Sequence, residues 1–422
     1  MNILITDFGA IPDGRIDCTE AFKKAIEVVS QAGGGQVTVP AGSYLTGPIH
    51  LKSNIQLHVE KGATITFRHN PKAYLPLVRT FWEGVELYNY SPLIYAYQQE
   101  NIAITGEGVL DGGGEPWWPW KGKQEYGWSA GTPHQEAGRA LLFQMAEDHV
   151  PVEQRRFGEG FYLRPSFIQP FECRNIRIEG VTVINSPMWQ IHPVLCEDVV
   201  IERVKIMGHG PNNDGVDPEC CKNVLIKDCY FDNGDDCIAI KSGRNADGRR
   251  IGVASENIRI TGNYMKDGHG GVVIGSEISG SVRNVHAEGN VFDSPNLDRA
   301  LRIKTNSVRG GVIENIYFGN NIVKRVGGEV IQIDMEYEEG DAGDFTPLVR
   351  NIEVENVRSE EANVGVWIKA YERAPVENLT IRNCRFDGAK TPLVIENVKE
   401  MKVEEFYING KLVGDKWSRI VK

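Results

Sequence analysis

The chain of 422 residues has no long apolar run: nothing in it approaches the ~18 residues that a membrane-crossing helix requires, so no membrane contact is expected. It has no basic stretch either. Lys and Arg number 46 against 57 Asp and Glu, a formal charge of −11. Nothing offsets that balance locally, which argues against a nucleic-acid partner or an anionic membrane surface. Cysteine is sparse. The eight residues (Cys18, Cys173, Cys196, Cys220, Cys221, Cys229, Cys237 and Cys384) lack the density of a disulfide scaffold and the paired C-x-x-C spacing of a zinc site. Buried free thiols are expected, with no metal and no cofactor. The opening Met1-Asn2-Ile3-Leu4-Ile5-Thr6-Asp7 has no basic n-region and no cleavage site. A cytoplasmic location is therefore expected, unless an N-terminal leader has been removed.

Helical periodicity is almost absent too. One helix is predicted near the start, where Asp17 to Glu20 reads as a capping-box variant before Phe22, Ala25, Ile26 and Val29, and Gly33-Gly34-Gly35 stops it. Glycine, in contrast, is plentiful at 46 residues, which suggests many tight turns between short elements.

What fills the rest is a repeated phrase: Asn, aliphatic, any, aliphatic. It starts at Asn54, Asn101, Asn175, Asn223, Asn257, Asn315, Asn351 and Asn378. Period-2 alternation bounded by Asn or Gly reads as strand and turn. Starts recur after 34 residues (223 to 257), 36 (315 to 351) and 27 (351 to 378), about one solenoid coil each. Strands so spaced, with no helices between them, stack as parallel rungs. An all-β parallel β-helix spanning 1–422 follows, and the N-terminal helix is suited to cap its open edge. One interruption is expected, at 111–165, where Trp117-Trp118-Pro119-Trp120, Tyr126 and Trp128 precede a helix around 137–147. These aromatics read either as a small core under a long loop or as one wall of a sugar-binding cleft.

Charged groups in the middle coils follow the same spacing. Asn212-Asn213-Asp214 leads to Gly234-Asp235-Asp236, then Gly268-His269-Gly270, Arg302-Ile303-Lys304 and Tyr337. Steps near one coil place Asp214, Asp235 or Asp236, His269 and Arg302 in a ladder about 15 Å long at ~4.8 Å per rung. Arg302 and Lys304, two apart on a strand, share a face. Asp235 and Asp236 would point oppositely on an ideal strand, so Asn233-Gly234 is read as a turn that lets both face outward.

The ordered set N-N-D, G-D-D, G-H-G and R-I-K resembles glycoside hydrolase family 28, the polygalacturonases, with Asn213 where that family usually has Thr. The likeness runs from Asp7-Phe8-Gly9-Ala10 through Asn185-Ser186-Pro187 into the late repeats. It implies a right-handed parallel β-helix and hydrolysis of α-1,4-linked galacturonate in pectic polymers, with inversion. Asp235 is then the acid, Asp214 and Asp236 hold and deprotonate the water, and His269 tunes the acid. Arg302 and Lys304 bind the substrate carboxylate at the cleavage site and Tyr337 completes the subsite, with Asn212 and Lys241 as further substrate contacts. A chain at −11 meeting a polyanion needs such a local cationic patch. An ion pair with the aspartates is the plainer reading of Arg302 and Lys304, and a structural turn histidine that of His269. Mutual repulsion of three carboxylates is expected to keep a proton on one of them.

The overall look is closest to the bacterial exo-acting enzymes of that family, and release of galacturonic acid from the non-reducing end is expected. The insertion 111–165, with Lys241-Ser242-Gly243-Arg244 and the lengthened coil at 245–255, supplies candidate walls. The alternatives are an endo-acting enzyme, a rhamnogalacturonan or xylogalacturonan hydrolase with the same core, a calcium-dependent lyase, and a non-catalytic glycan-binding β-helix.

Overall fold

The repeated asparagines set the architecture. The computed structural model describes residues 1–414. In it all eight adopt the left-handed conformation, with φ between 54° and 63°, which Asn tolerates better than other residues with a side chain. Each turns the chain into the apolar pair that follows. Their side chains also bond from coil to coil, with Asn101 donating to Asn54 at 2.8 Å and Asn175 to Asn101 at 2.7 Å. The ladder resumes with Asn257 to Asn223 at 3.1 Å and continues through Asn284 to Asn315, Asn351 and Asn378. Asn284 opens a coil that the repeat phrase had not included. Asp198 (φ 60°) takes the same place in the coil of Glu197–Glu202.

The chain forms two compact units, Met1–Pro218 and the part from Glu219 onward. In the first, Asn2–Leu4, Gly35–Val39, Ile55–Val59, Glu100–Gly106, Arg174–Glu179 and Glu197–Glu202 pair in parallel. The helix Thr19–Gln31 buries Ala21, Phe22, Ala25, Ile26 and Val29 and packs on the earliest strands, capping them as expected. Its cap differs from the expected box. Asp17 Oδ1 accepts from Thr19 N at 3.0 Å, and Glu20 takes no part.

The insertion 111–165 does not stand alone: a hairpin before it also leaves the coils. Val78–Trp82 and Val85–Asn89 form an antiparallel hairpin, closed by Glu83 (φ 43°) and Gly84 (φ 82°), the paired positive φ of a type I′ turn. The helix Glu136–Glu147 of the 111–165 insertion lays Leu142 and Ala146 against Trp82, Val85 and Leu87 of that hairpin. Trp117 is fully buried, edge-on to His69, Tyr74 and Trp120 at 4.8 to 5.6 Å, so it belongs to a small core. Trp118 and Trp120 stay half-buried.

In the second unit three parallel sheets run side by side, one coil per rung. In one of them Val224, Ile258, Val285, Ile316, Ile352 and Leu379 stack in register, all buried. Another comprises Ile238–Ile240, Val272–Ile274, Leu301–Lys304, Glu329–Asp334, Ala362–Lys369 and Ala389–Glu396. This repetition is a parallel β-helix, with the aliphatic rows inside and the polar residues of each strand outside. All eight cysteines are buried and unbridged. Among the described residues no helix is long and apolar enough to cross a membrane.

Candidate active site

Asp235 and Asp236 sit in the bend between Tyr230–Asn233 and Ile238–Ile240, outside both strands. The bend frees them from strand alternation, as Asn233-Gly234 suggested, and an oxygen of each lies within 4.8 Å of the other. His269 occupies the equivalent bend one coil on. Its N–H donates to the Asp235 carbonyl at 3.1 Å, and its Nδ1 lies 3.0 Å from Asp235 Oδ1. The Asp236 N–H also donates to Asp235 Oδ1, at 2.9 Å.

From the next coils, Arg302 and Lys304 reach back to Asp236. Lys304 Nζ is 2.7 Å from Oδ2 and Arg302 Nη1 is 3.4 Å from Oδ1. Asp236 is 1% exposed, Asp235 20% and His269 54%, so Asp235 and the imidazole are the more open groups of the cluster. Tyr337 closes the patch, its ring 5.2 Å from Lys304 Nζ and 5.4 Å from the Arg302 guanidinium carbon.

The glycines of Gly268-His269-Gly270 are there for space. A Cβ on Gly268 would stand 2.5 Å from the Asp235 carbonyl oxygen. One on Gly270 would meet Val273 at 2.5 Å and Asp236 Oδ1 at 3.2 Å, in the path of the Asp236–Arg302 pair.

Cations stand beside both aspartates of this turn, His269 at Asp235 and Arg302 with Lys304 at Asp236. Burial works against charge on Asp235. The hydrogen-bonded His269 imidazole outweighs it, with help from Lys304, and holds the carboxyl well below the usual range. The same bond pushes His269 up to about 9, against the opposing effect of burial. Burial also disfavours charge on Lys304, and Asp236 overcomes it, leaving the ammonium above its ordinary value. Arg302 and Lys304 therefore do pair with an aspartate, the plainer reading of these residues.

In the first unit, Asp214 is buried and its carbonyl accepts from Gln190 N at 3.0 Å. Asn213 is fully buried. Its Oδ1 accepts from Gly210 N at 3.0 Å and its Nδ2 donates to the Ser186 and Met188 carbonyls at 2.9 and 3.1 Å. That amide ties the N-N-D turn to the preceding coil, a task for which Thr is too short. Asn212 Oδ1 accepts from Lys121 Nζ at 3.0 Å and from Arg164 Nη2 at 2.8 Å. Trp118 donates to the Ser186 carbonyl at 2.9 Å and stacks where a Cβ on Gly210 would fall. The insertion is thus fastened to the N-N-D motif by Trp118 and Lys121.

Lys241, expected as a substrate contact, is 3% exposed, with Nζ 3.1 Å from Glu277 Oε2. It belongs to a buried ionic network that the sequence had not suggested. Arg244 joins Glu277 (3.4 Å) to Glu339 (3.2 Å), and Arg309 joins Glu339 (3.0 Å) to Glu338 (3.2 Å). Asn306 adds a bond to the Tyr337 carbonyl at 2.8 Å, so the network fixes the turn that carries Tyr337.

Two unlike carboxylates, a charged imidazole and a pair of cations on a parallel β-helix are the parts of a glycoside hydrolase built for an acidic sugar. The chain belongs to glycosyl hydrolases family 28, whose model matches residues 159–405. Residues 2–68 match a second model, rhamnogalacturonase A/epimerase, pectate lyase-like. The chain is similar to the crystal structure of a hyperthermoactive exopolygalacturonase from Thermotoga maritima, at 51% identity and a TM-score of 0.95, covering 97% of this chain and 92% of that one. It is 28% identical to a probable polygalacturonase of Vitis vinifera over 90% of this chain and 73% of the relative. An exo-poly-alpha-D-galacturonosidase of Dickeya chrysanthemi is 27% identical over 82% of this chain and 59% of its own length.

Proposed function

We propose that this protein is an exo-acting polygalacturonase. It hydrolyses the α-1,4 linkage of oligogalacturonides by a single displacement with inversion and releases galacturonic acid from the non-reducing end. The observation that carries the reading is the division of labour between Asp235, bonded to His269, and Asp236, held by Arg302 and Lys304. The Asp235–His269 pair holds one proton and delivers it through Asp235 to the glycosidic oxygen as the C–O bond breaks. Water attacks the anomeric carbon from the opposite face and gives up its proton to Asp236, with Asp214 as the second carboxylate by its place in the N-N-D motif.

Arg302 and Lys304 take the uronate carboxylate. Two cations face the single Asp236 carboxylate there, and the buried Arg302 Nε has no hydrogen-bond partner among the described residues. The exo preference is supported by the exopolygalacturonase likeness at 51% identity and by the insertion fastened onto the N-N-D motif. The test is product analysis on tetragalacturonide with and without chelator. Galacturonic acid and trimer as first products, without ultraviolet absorbance and unaffected by chelator, fit the proposal. Dimer as the main first product means endo action, and a chelator-sensitive unsaturated product means a lyase.

A further inference from the structure

Beyond the cationic pair, the outer row of the same sheet continues. In strand register Arg302 stands opposite Gln332, and Gln332 opposite Trp367. In Ala362–Lys369, Val366 and Ile368 are buried, whereas Trp367 and Lys369 between and beyond them are half-buried, so Trp367 belongs to the outward row. Gln332, between Arg302 and Trp367, is 6% exposed, and its buried Oε1 has no partner among the described residues. An aliphatic or short polar residue would suffice on an exposed strand. A tryptophan there costs solvent-exposed apolar surface unless something covers it.

We infer that Trp367 is a stacking platform for a sugar ring of the substrate beyond the one gripped by Arg302 and Lys304. The separation suits this: two rungs at ~4.8 Å place Trp367 about 10 Å along the row from Arg302, about two rings further along an extended oligosaccharide and within the reach of a tetramer. A pyranose presents an apolar face of C–H groups to an aromatic ring, which suits the half-buried indole of Trp367. Trp367 is thus a specificity residue for chain length and touches no reacting atom. The inference rests on the polygalacturonase reading above.

The experiment compares kcat/KM on digalacturonide and tetragalacturonide for the unaltered enzyme, Trp367→Ala and Trp367→Phe. Digalacturonide ends at the cationic pair and does not reach Trp367, so its turnover reports intact folding and catalysis. Trp367→Ala is expected to lower the tetramer-to-dimer ratio of kcat/KM at least fivefold, mainly through KM on the tetramer, with Trp367→Phe restoring most of it. An unchanged ratio in Trp367→Ala, with dimer turnover retained, overturns the inference while leaving the polygalacturonase reading intact. An unaltered enzyme that cleaves neither substrate defeats that reading instead. If Trp367→Ala fails to fold, Trp367→Phe and Trp367→Leu decide. A ratio kept by Phe and lost by Leu supports stacking, and one kept by both refutes it.

Discussion

Replacing His269 by alanine tests how the protonating group is held ready. In the native site the Asp235–His269 pair shares one proton across a 3.0 Å contact, and His269 gives it up only near pH 9. His269 is raised because the carboxylate beside it stabilises the imidazolium. The proton-loaded pair thus persists below about 9 and is lost above it, and kcat/KM should fall on the alkaline side with an apparent pKa near that value. Without the imidazole, Asp235 must hold the proton alone. Burial then favours the neutral acid, while Lys304 and the Asp236 N–H oppose it. An ordinary aspartic acid titrates near ~4, well below the limb that His269 sets, and burial narrows that gap without closing it. The alkaline limb of His269→Ala should therefore move down by about 2 to 5 pH units. In measurable form, the ratio of kcat/KM at pH 5 to that at pH 8, near unity in the native enzyme, should rise to about 10 to 1,000, since each pH unit beyond a limb costs tenfold. The assay is initial-rate release of reducing sugar from trigalacturonide across pH 4 to 10. A variant whose rate falls uniformly at every pH, with its limb still near 9, would show that some other group holds the proton.

Asp235→Asn should lower kcat by several orders of magnitude while the melting temperature stays near native, because it removes the acid from a partly open position. Lys304→Met leaves the buried Asp236 with one cation fewer, so a loss of about 3 kcal/mol in denaturant unfolding is expected with a raised KM for free-acid substrate; an unchanged stability would mean that Asp236 does not depend on it. Gly270→Ala pushes a methyl group into Val273 and the Asp236–Arg302 pair, and should cost about 1–3 kcal/mol with a matching fall in kcat. Asn284→Ala breaks the ladder to Asn257 and Asn315 and should destabilise by about 1–2 kcal/mol without changing kcat, read by thermal unfolding alongside activity.

The coils were legible because one conformational need recurs in each. A left-handed residue that also bonds to its counterpart in neighbouring coils selects Asn, and the apolar pair after it selects aliphatics. Where Asp198 serves instead, the phrase is disguised although the geometry is the same. The reactive groups were legible because one coil per motif turns sequence order into stacking order. Which cation stands against which aspartate was not, because residue spacing places His269, Arg302 and Lys304 near the pair without fixing the 3.0 Å contact of His269 with Asp235 or the 2.7 Å contact of Lys304 with Asp236. The ion pair of Lys241 was not legible, because a lysine at a turn is normally solvated. Nothing local signals that Glu277, 36 residues away, lies 3.1 Å from its ammonium. The hairpin Val78–Asn89 did carry a signal, Glu83-Gly84 between two apolar runs, but its alternation resembled another coil.

The most direct measurement is the anomer first released from trigalacturonide, followed by proton NMR in the opening minutes before mutarotation. Water activated by Asp236 opposite a departing oxygen protonated through Asp235 predicts β-galacturonic acid first, with the α form growing in later. An initial α product would require an enzyme-bound sugar intermediate and would contradict the assignment of these carboxylates.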